Sequence, residues 1–126
     1  MRNLIRLTVY IFLISASVQL YASPKAAVEW QTTSIDLGEV SFKKPVIAEF
    51  SFKNQGLVPL IINNVESSCG CTVADYPKQP VLSGQEAKIS VTYDAETEGQ
   101  FSKTITVYSN SESGVIQLYI KGIVVR

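Results

Sequence analysis

The sequence predicts an all-β chain folded as an antiparallel β-sandwich of about seven strands. Three observations carry that prediction. Apolar and polar residues alternate with a period of two in several short runs, turn-forming residues separate those runs, and no stretch beyond residue 23 reads as a helix. Each such strand has one apolar face, and two sheets packed face to face remove both faces from water. A closed barrel satisfies the same pattern and stays open as an alternative.

Short pieces around residues 28–30 and 35–40 begin the series. Ala48, Phe50 and Phe52 then alternate with Glu49, Ser51 and Lys53, which marks a half-buried strand. Asn54-Gln55-Gly56 reads as a turn, and Pro59 opens the apolar run Leu60-Ile61-Ile62. Ala87, Ile89, Val91 and Tyr93 alternate with Lys88, Ser90 and Thr92, before a tight turn at Glu96-Thr97-Glu98-Gly99. Ile105 and Val107 alternate with Thr104, Thr106 and Tyr108, and a second turn follows at residues 109–114. The last strand, residues 115–124, turns Ile116, Leu118 and Ile120 to one face; Arg126 follows at once, so no functional tail is expected.

The N-terminus bears on location. Arg2 and Arg6 precede a mostly apolar run over residues 7–20, and Tyr21-Ala22-Ser23 supplies small residues before Pro24-Lys25. This is the layout of a cleavable secretory signal, with an apolar core shorter than the roughly 20 residues of a membrane-spanning helix. The expected organisation is a signal peptide over residues 1–22 and one domain over residues 23–126. The cut is placed after Ala22, with Leu20 at the minus-three position; a cut after Ser17 is the second choice, and an uncleaved anchoring helix is the alternative. No cysteine follows the apolar run, so no lipoprotein anchor is expected. The destination is then the periplasm or the extracellular space, with no membrane span after cleavage.

Loss of the leader removes Arg2 and Arg6 from the 11 basic residues and none of the 11 acidic ones. The remaining body is weakly acidic, which argues against nucleic acid as a partner. Histidine is absent, and with it the commonest general base and the commonest metal ligand.

The chemistry concentrates in Ser68-Cys69-Gly70-Cys71-Thr72, which holds both cysteines. In an extended backbone, side chains at i and i+2 leave from the same face. Gly70, lacking a Cβ, would let the backbone fold tightly enough to join the sulfurs. A Cys69–Cys71 bond closes a three-residue loop, so chain entropy gives it only roughly 1.6 kcal/mol, and stability is a poor reason to have it. Nor can two cysteines on one segment tie sheet to sheet as the distant pair of many immunoglobulin domains does.

Three readings of the pair follow, in order. The first is a local disulfide forming a rigid surface feature in an oxidising compartment. The second is a redox-active dithiol. Against it, Glu66 and Asp75 flank the motif with no Lys or Arg between them, negative charge raises a thiol pKa, and the Cys-x-x-Cys spacing is missing. The third is Cu(I) held by two thiolates, opposed by the lack of histidine and by the loss of Met1, the only methionine, with the leader. A structural zinc site would need ligands from two chains. No cofactor and no resident metal are expected.

Glu96 and Glu98 read as solvated turn charges, Asp94 as a turn residue, and Trp30 as a core or edge anchor. Tyr76-Pro77 and Gln79-Pro80 form a loop stiffened by proline, and Tyr76 is the best contact residue if it is exposed beside the cysteines. The candidate binding or redox set is therefore Cys69, Gly70, Cys71, Thr72 and Tyr76, with no catalytic residue assigned.

A longer pattern runs through the chain: Phe50-x-Phe52-x-Asn54-x-Gly56-x-x-Pro59-Leu60-x-Ile62, then Val65 and Ser68-Cys69-Gly70-Cys71-Thr72. Downstream come Ser83-Gly84, Val91-x-Tyr93-Asp94, Gly99-x-Phe101-x-Lys103-x-Ile105-x-Val107 and Ser109-Asn110. This resembles the bacterial secreted domain of unknown function numbered fifteen seventy-three, related to Ig-like domains of the ASPM/SPD-2/Hydin type. The likeness runs from Ile35-Asp36-Leu37-Gly38 to the C-terminus. Ser83-Gly84 stands where relatives often have Pro-Gly, a change expected to alter one turn and little else. The resemblance implies an immunoglobulin-like sandwich in the cell envelope and no particular activity.

The functional expectation is a non-enzymatic interaction module for an envelope or extracellular protein partner, with the loop over residues 68–76 in its contact surface. A thiol–disulfide redox protein is the alternative, and Cu(I) chelation the weaker one. Nothing in the sequence fixes the oligomeric state.

Overall fold

A computed structural model describes residues 2–15 and 23–126. The expected leader cut turns on residues 16–22 and lies outside the described residues. Among the described residues, one helix, α1 (Arg2–Ser15), is followed by eight strands: β1 (Val28–Trp30), β2 (Ser34–Ser41), β3 (Val46–Asn54), β4 (Ile62–Ser67), β5 (Thr72–Asp75), β6 (Glu86–Tyr93), β7 (Gly99–Ser109) and β8 (Val115–Val125). No described helix is long and apolar enough to cross a membrane.

The strands form two four-stranded sheets, ordered β1-β3-β6-β5 and β2-β8-β7-β4. The alternating positions behave as the period of two demands. Ala48, Phe50 and Phe52 of β3 and Ile89, Val91 and Tyr93 of β6 are buried, and they share one core with Ile105 and Val107 of β7 and Leu118 and Ile120 of β8. Two separate sheets with free edges replace the barrel alternative.

Three details differ from the sequence reading. Leu60 makes only an isolated bridge to Val81, and the strand expected there begins at Ile62 and runs on through Asn63-Asn64-Val65-Glu66-Ser67. That stretch is a mostly polar edge strand with little apolar signal. An eighth strand, β5, follows the cysteines, too short at four residues for its alternation to stand out. Finally, β2 pairs with β8 in parallel, Ile35 opposite Ile120 and Val40 opposite Val124, so one pair departs from the antiparallel pattern.

Each edge strand is kept from pairing further. β1 has three residues and β5 four, while β2 carries a bulge between Asp36 and Glu39 and β4 one between Ile62 and Asn64.

One end of the sandwich is tied by a buried amide. Asn54, at 0% exposure, donates from Nδ2 to the carbonyls of Val58 and Val81 at 2.9 Å each and accepts from the Gly56 N–H at 2.9 Å. Gly56 must be glycine. A Cβ there would stand 2.6 Å from Ala26 Cα, because the segment around buried Ala26 runs directly over the turn. Ser83 Oγ also donates to the Gly56 carbonyl at 2.6 Å, a bond that a proline at that position could not make. The Ser83 change therefore reaches further than the single turn expected of it. Trp30 is an edge anchor, its ring 4.9 Å from Phe52.

Candidate functional site

The opposite end gathers three links: residues 42–45 between β2 and β3, residues 68–71 between β4 and β5, and residues 94–98 between β6 and β7. Since β4 and β5 belong to different sheets, residues 68–71 are where the chain crosses from one layer to the other. The crossing is a turn rather than an extended segment. It brings the Cα atoms of Cys69 and Cys71 to 5.3 Å, and their sulfurs are bonded. Gly70 is exposed, and a Cβ added to it would meet nothing within 4 Å. The steric need for glycine expected at that position is absent.

The turn is held by more than sulfur. Ser67 Oγ lies 2.6 Å from the Cys69 carbonyl and 2.9 Å from that of Thr72, placed to donate to either. Ser68 N–H donates to the Thr104 carbonyl at 2.9 Å, and Thr104 N–H to Ser68 Oγ at 3.1 Å. Asp94 N–H donates to the Cys71 carbonyl at 3.0 Å. Beneath the turn sits Thr72, only 4% exposed, whose Oγ1 lies 3.6 Å from Cys69 Sγ and 3.8 Å from Cys71 Sγ.

Cys71 forms one wall of a groove of about 260 Å³, with Tyr93, Asp94, Glu96, Ser102 and Lys103 among the others. Burial, and then the Asp94 carboxylate, push the Tyr93 phenol above its ordinary range, and its ring stacks on Phe101 at 4.1 Å. Lys103 is the basic group missing from the sequence around the cysteines. It arrives from β7, so no local motif announces it. A larger open recess of about 590 Å³, among Gly38, Glu39, Lys121 and Gly122, is lined by none of the expected site residues.

The neighbouring loops are strained and charged. Lys43 and Ala95, the non-glycine residues with positive φ (59° and 56°) among the described residues, are joined by a Lys43 N–H bond to the Ala95 carbonyl at 2.9 Å. Arg126 pairs with Glu98 and lies 4.5 Å over the Phe42 ring. Asp94 Oδ1 accepts from Glu96 N–H at 3.1 Å, so Asp94 does the work of a turn residue.

The structure brings Cys69, Gly70, Cys71 and Thr72 together but not Tyr76. In β5, Thr72 faces Tyr93 while Asp75 faces Ser90, so Tyr76 leaves the strand at its other end, roughly 13 Å beyond Thr72 by strand rise. It is half-buried against the core with Lys78 Nζ 3.2 Å over its ring. The exposed apolar residues near the cysteines are instead Val73 (67% exposed) and Ile47 (60%), both in register with Thr92 from either side. Among the described residues, no three side chains of the metal-ligating types converge.

Residues 28–124 match the family described as protein of unknown function (DUF1573). No curated protein matches the chain. Among solved structures, a protein of unknown function from Porphyromonas gingivalis W83 is similar with a TM-score of 0.71 at 18% identity, covering 82% of this chain and 49% of that one. This chain thus spans about half of that protein. The ASH/PapD-like domain 7 of human CEP192 gives 0.68 at 12% identity over 87% of this chain and 96% of that one. The secreted serine protease VesC of Vibrio cholerae gives 0.59 at 15% identity, over 78% of this chain but only 23% of its own. At such identities the likeness shows the fold alone, an immunoglobulin-like sandwich. With nearly the whole sandwich inside the match, the chain belongs to the uncharacterised DUF1573 family.

Proposed function

We propose that this chain is a non-catalytic interaction domain of the cell envelope, exported by its leader, with the cysteine end as its contact surface. The observation that carries this reading is the pair of exposed apolar residues Val73 and Ile47, flanking half-buried Thr92, beside a turn fixed by a disulfide and hydrogen bonds. A surface already rigid loses little conformational freedom on binding, which favours affinity from a small area. The blunted edge strands direct contact to this end rather than to strand addition.

Cross-linking capture from envelope extracts tests the surface. Wild type and Leu57→Ser, a change at the opposite end, should retain one and the same partner that Val73→Asp and Ile47→Asp lose. Equal recovery by all four removes the pair from the contact surface. The intact mass of protein from its native host, alkylated before lysis, should begin at Ser23. A mass beginning at Met1 overturns export by a cleaved leader.

A further inference from the structure

We propose that the Cys69–Cys71 bond is exchangeable. An alkanethiolate entering the groove attacks Cys71 Sγ and expels Cys69 as the leaving thiolate. This goes beyond the interaction reading and stands without it, because it rests on which cysteine lines the groove and on the buried hydroxyl beneath both sulfurs.

Both cysteines are half-buried and Cys71 also packs against the core, so it is their placement on the groove that separates them. Cys71 lines the groove beside Ser102 and Lys103; Cys69 lines none of its wall. The Lys103 ammonium favours an incoming thiolate, whereas Asp94 and Glu96 on the same groove oppose it. Charge therefore leaves the direction of attack to geometry, which selects Cys71.

The leaving group has a partner already placed. Thr72 Oγ1 is buried with the two sulfurs as its hydrogen-bonding neighbours, Cys69 the nearer. A disulfide sulfur is a weak acceptor, so the hydroxyl is poorly satisfied while the bond is intact. A thiolate at Cys69 is a strong, charged acceptor. The Thr72 hydroxyl thus stabilises the opened form over the closed one, and a leaving thiol of lower pKa departs faster.

The step balances. The sulfur lone pair of R–S⁻ forms a new bond to Cys71 Sγ, and the electron pair of the Cys69–Cys71 bond goes to Cys69 Sγ. The product is a mixed disulfide at Cys71 and a thiolate at Cys69. A second thiolate can then take the R–S group as R–S–S–R, leaving Cys71 a thiolate too, so that two thiols are oxidised and the pair is reduced by two electrons. The crossing survives the opening. The contacts of Ser67, the paired bonds of Ser68 with Thr104, and the Asp94 bond to the Cys71 carbonyl involve no sulfur.

The oxidised protein is treated in one arm with glutathione and in another with an unstructured peptide carrying one cysteine. Each is quenched in acid, alkylated with N-ethylmaleimide and mapped by mass spectrometry. The expected adduct sits on Cys71 with the maleimide on Cys69; the faster arm tells a small thiol from a protein cysteine as the preferred source. Thr72→Val should slow adduct formation about tenfold and Thr72→Ser should restore it, with circular dichroism unchanged. An adduct mainly on Cys69, or none in either arm under conditions that reduce the unfolded protein, overturns the proposal. So does a folded Thr72→Val that reacts at the wild-type rate. Should Thr72→Val fail to fold, the site of the adduct in wild type still decides.

Discussion

The two ends of the sandwich are fastened by different chemistry. At the Asn54 end the fastening is neutral and centred on one buried side chain, with an exposed asparagine beside it. One amide satisfies three backbone groups, Asn110 bridges to Pro59 and Ile61, and the segment around Ala26 lies over the Gly56 turn. At the cysteine end the hydrogen bonds of the crossing are joined by a local disulfide, an ion pair, cations over Phe42 and two left-handed non-glycine residues, with apolar side chains left in solvent. Buried neutral bonds are costly to break, whereas exposed charges and a three-residue covalent loop add little stability. The difference makes the first end the firmer fastening of the fold and leaves apolar side chains of the second in solvent.

That contrast can be broken by measurement. The largest effect should come from Asn54→Ala. Its loss leaves the Val58 and Val81 carbonyls and the Gly56 N–H unpaired, and urea unfolding should show about 3 kcal/mol or more of destabilisation. A loss below about 1 kcal/mol would mean that the amide does not hold this end. Cys69→Ser/Cys71→Ser should cost no more than about 1.6 kcal/mol in the same assay. A larger loss would make the disulfide a structural fastening and erase the distinction between the ends.

The smallest effect concerns pH. The carboxylate of Glu66 above all, with burial and a hydrogen bond to the same group, raises the Tyr108 phenol above its ordinary 10.0, and burial with Asp94 raises Tyr93. The unfolded chain releases these protons first. The stability they contribute is therefore whole below pH 10 and is lost as pH climbs through the raised folded values. Glu66→Gln should bring the Tyr108 ring titration, followed by NMR, down toward 10.0 and leave Tyr93 where it was. A Tyr108 midpoint that does not move would discard Glu66 as the cause.

Much of the fold was legible because a period of two is a local signal. Phe50, Ile89, Ile105 and Leu118 each declare their face through their immediate neighbours, and all four are buried. What pairs with what is not local, so the parallel match of β2 with β8 left no trace in either segment. The same divide runs through the site. The cysteine spacing stands in the sequence, but Lys103 reaches the groove from another strand, and the Thr72 hydroxyl meets both sulfurs only because the turn folds over it. Asn54 reads as an ordinary turn residue; its burial follows from the Val58 and Val81 carbonyls that converge on it, one of them far along the chain.

The parallel pairing of β2 with β8 also governs when this protein can be finished. Ile35 has no neighbour on that side until Ile120 has been synthesised, so the second sheet cannot close around a growing chain. Contacts at such separation in sequence form late and slowly. A polypeptide held back from completing itself in this way keeps its second sheet open until the last strand has emerged.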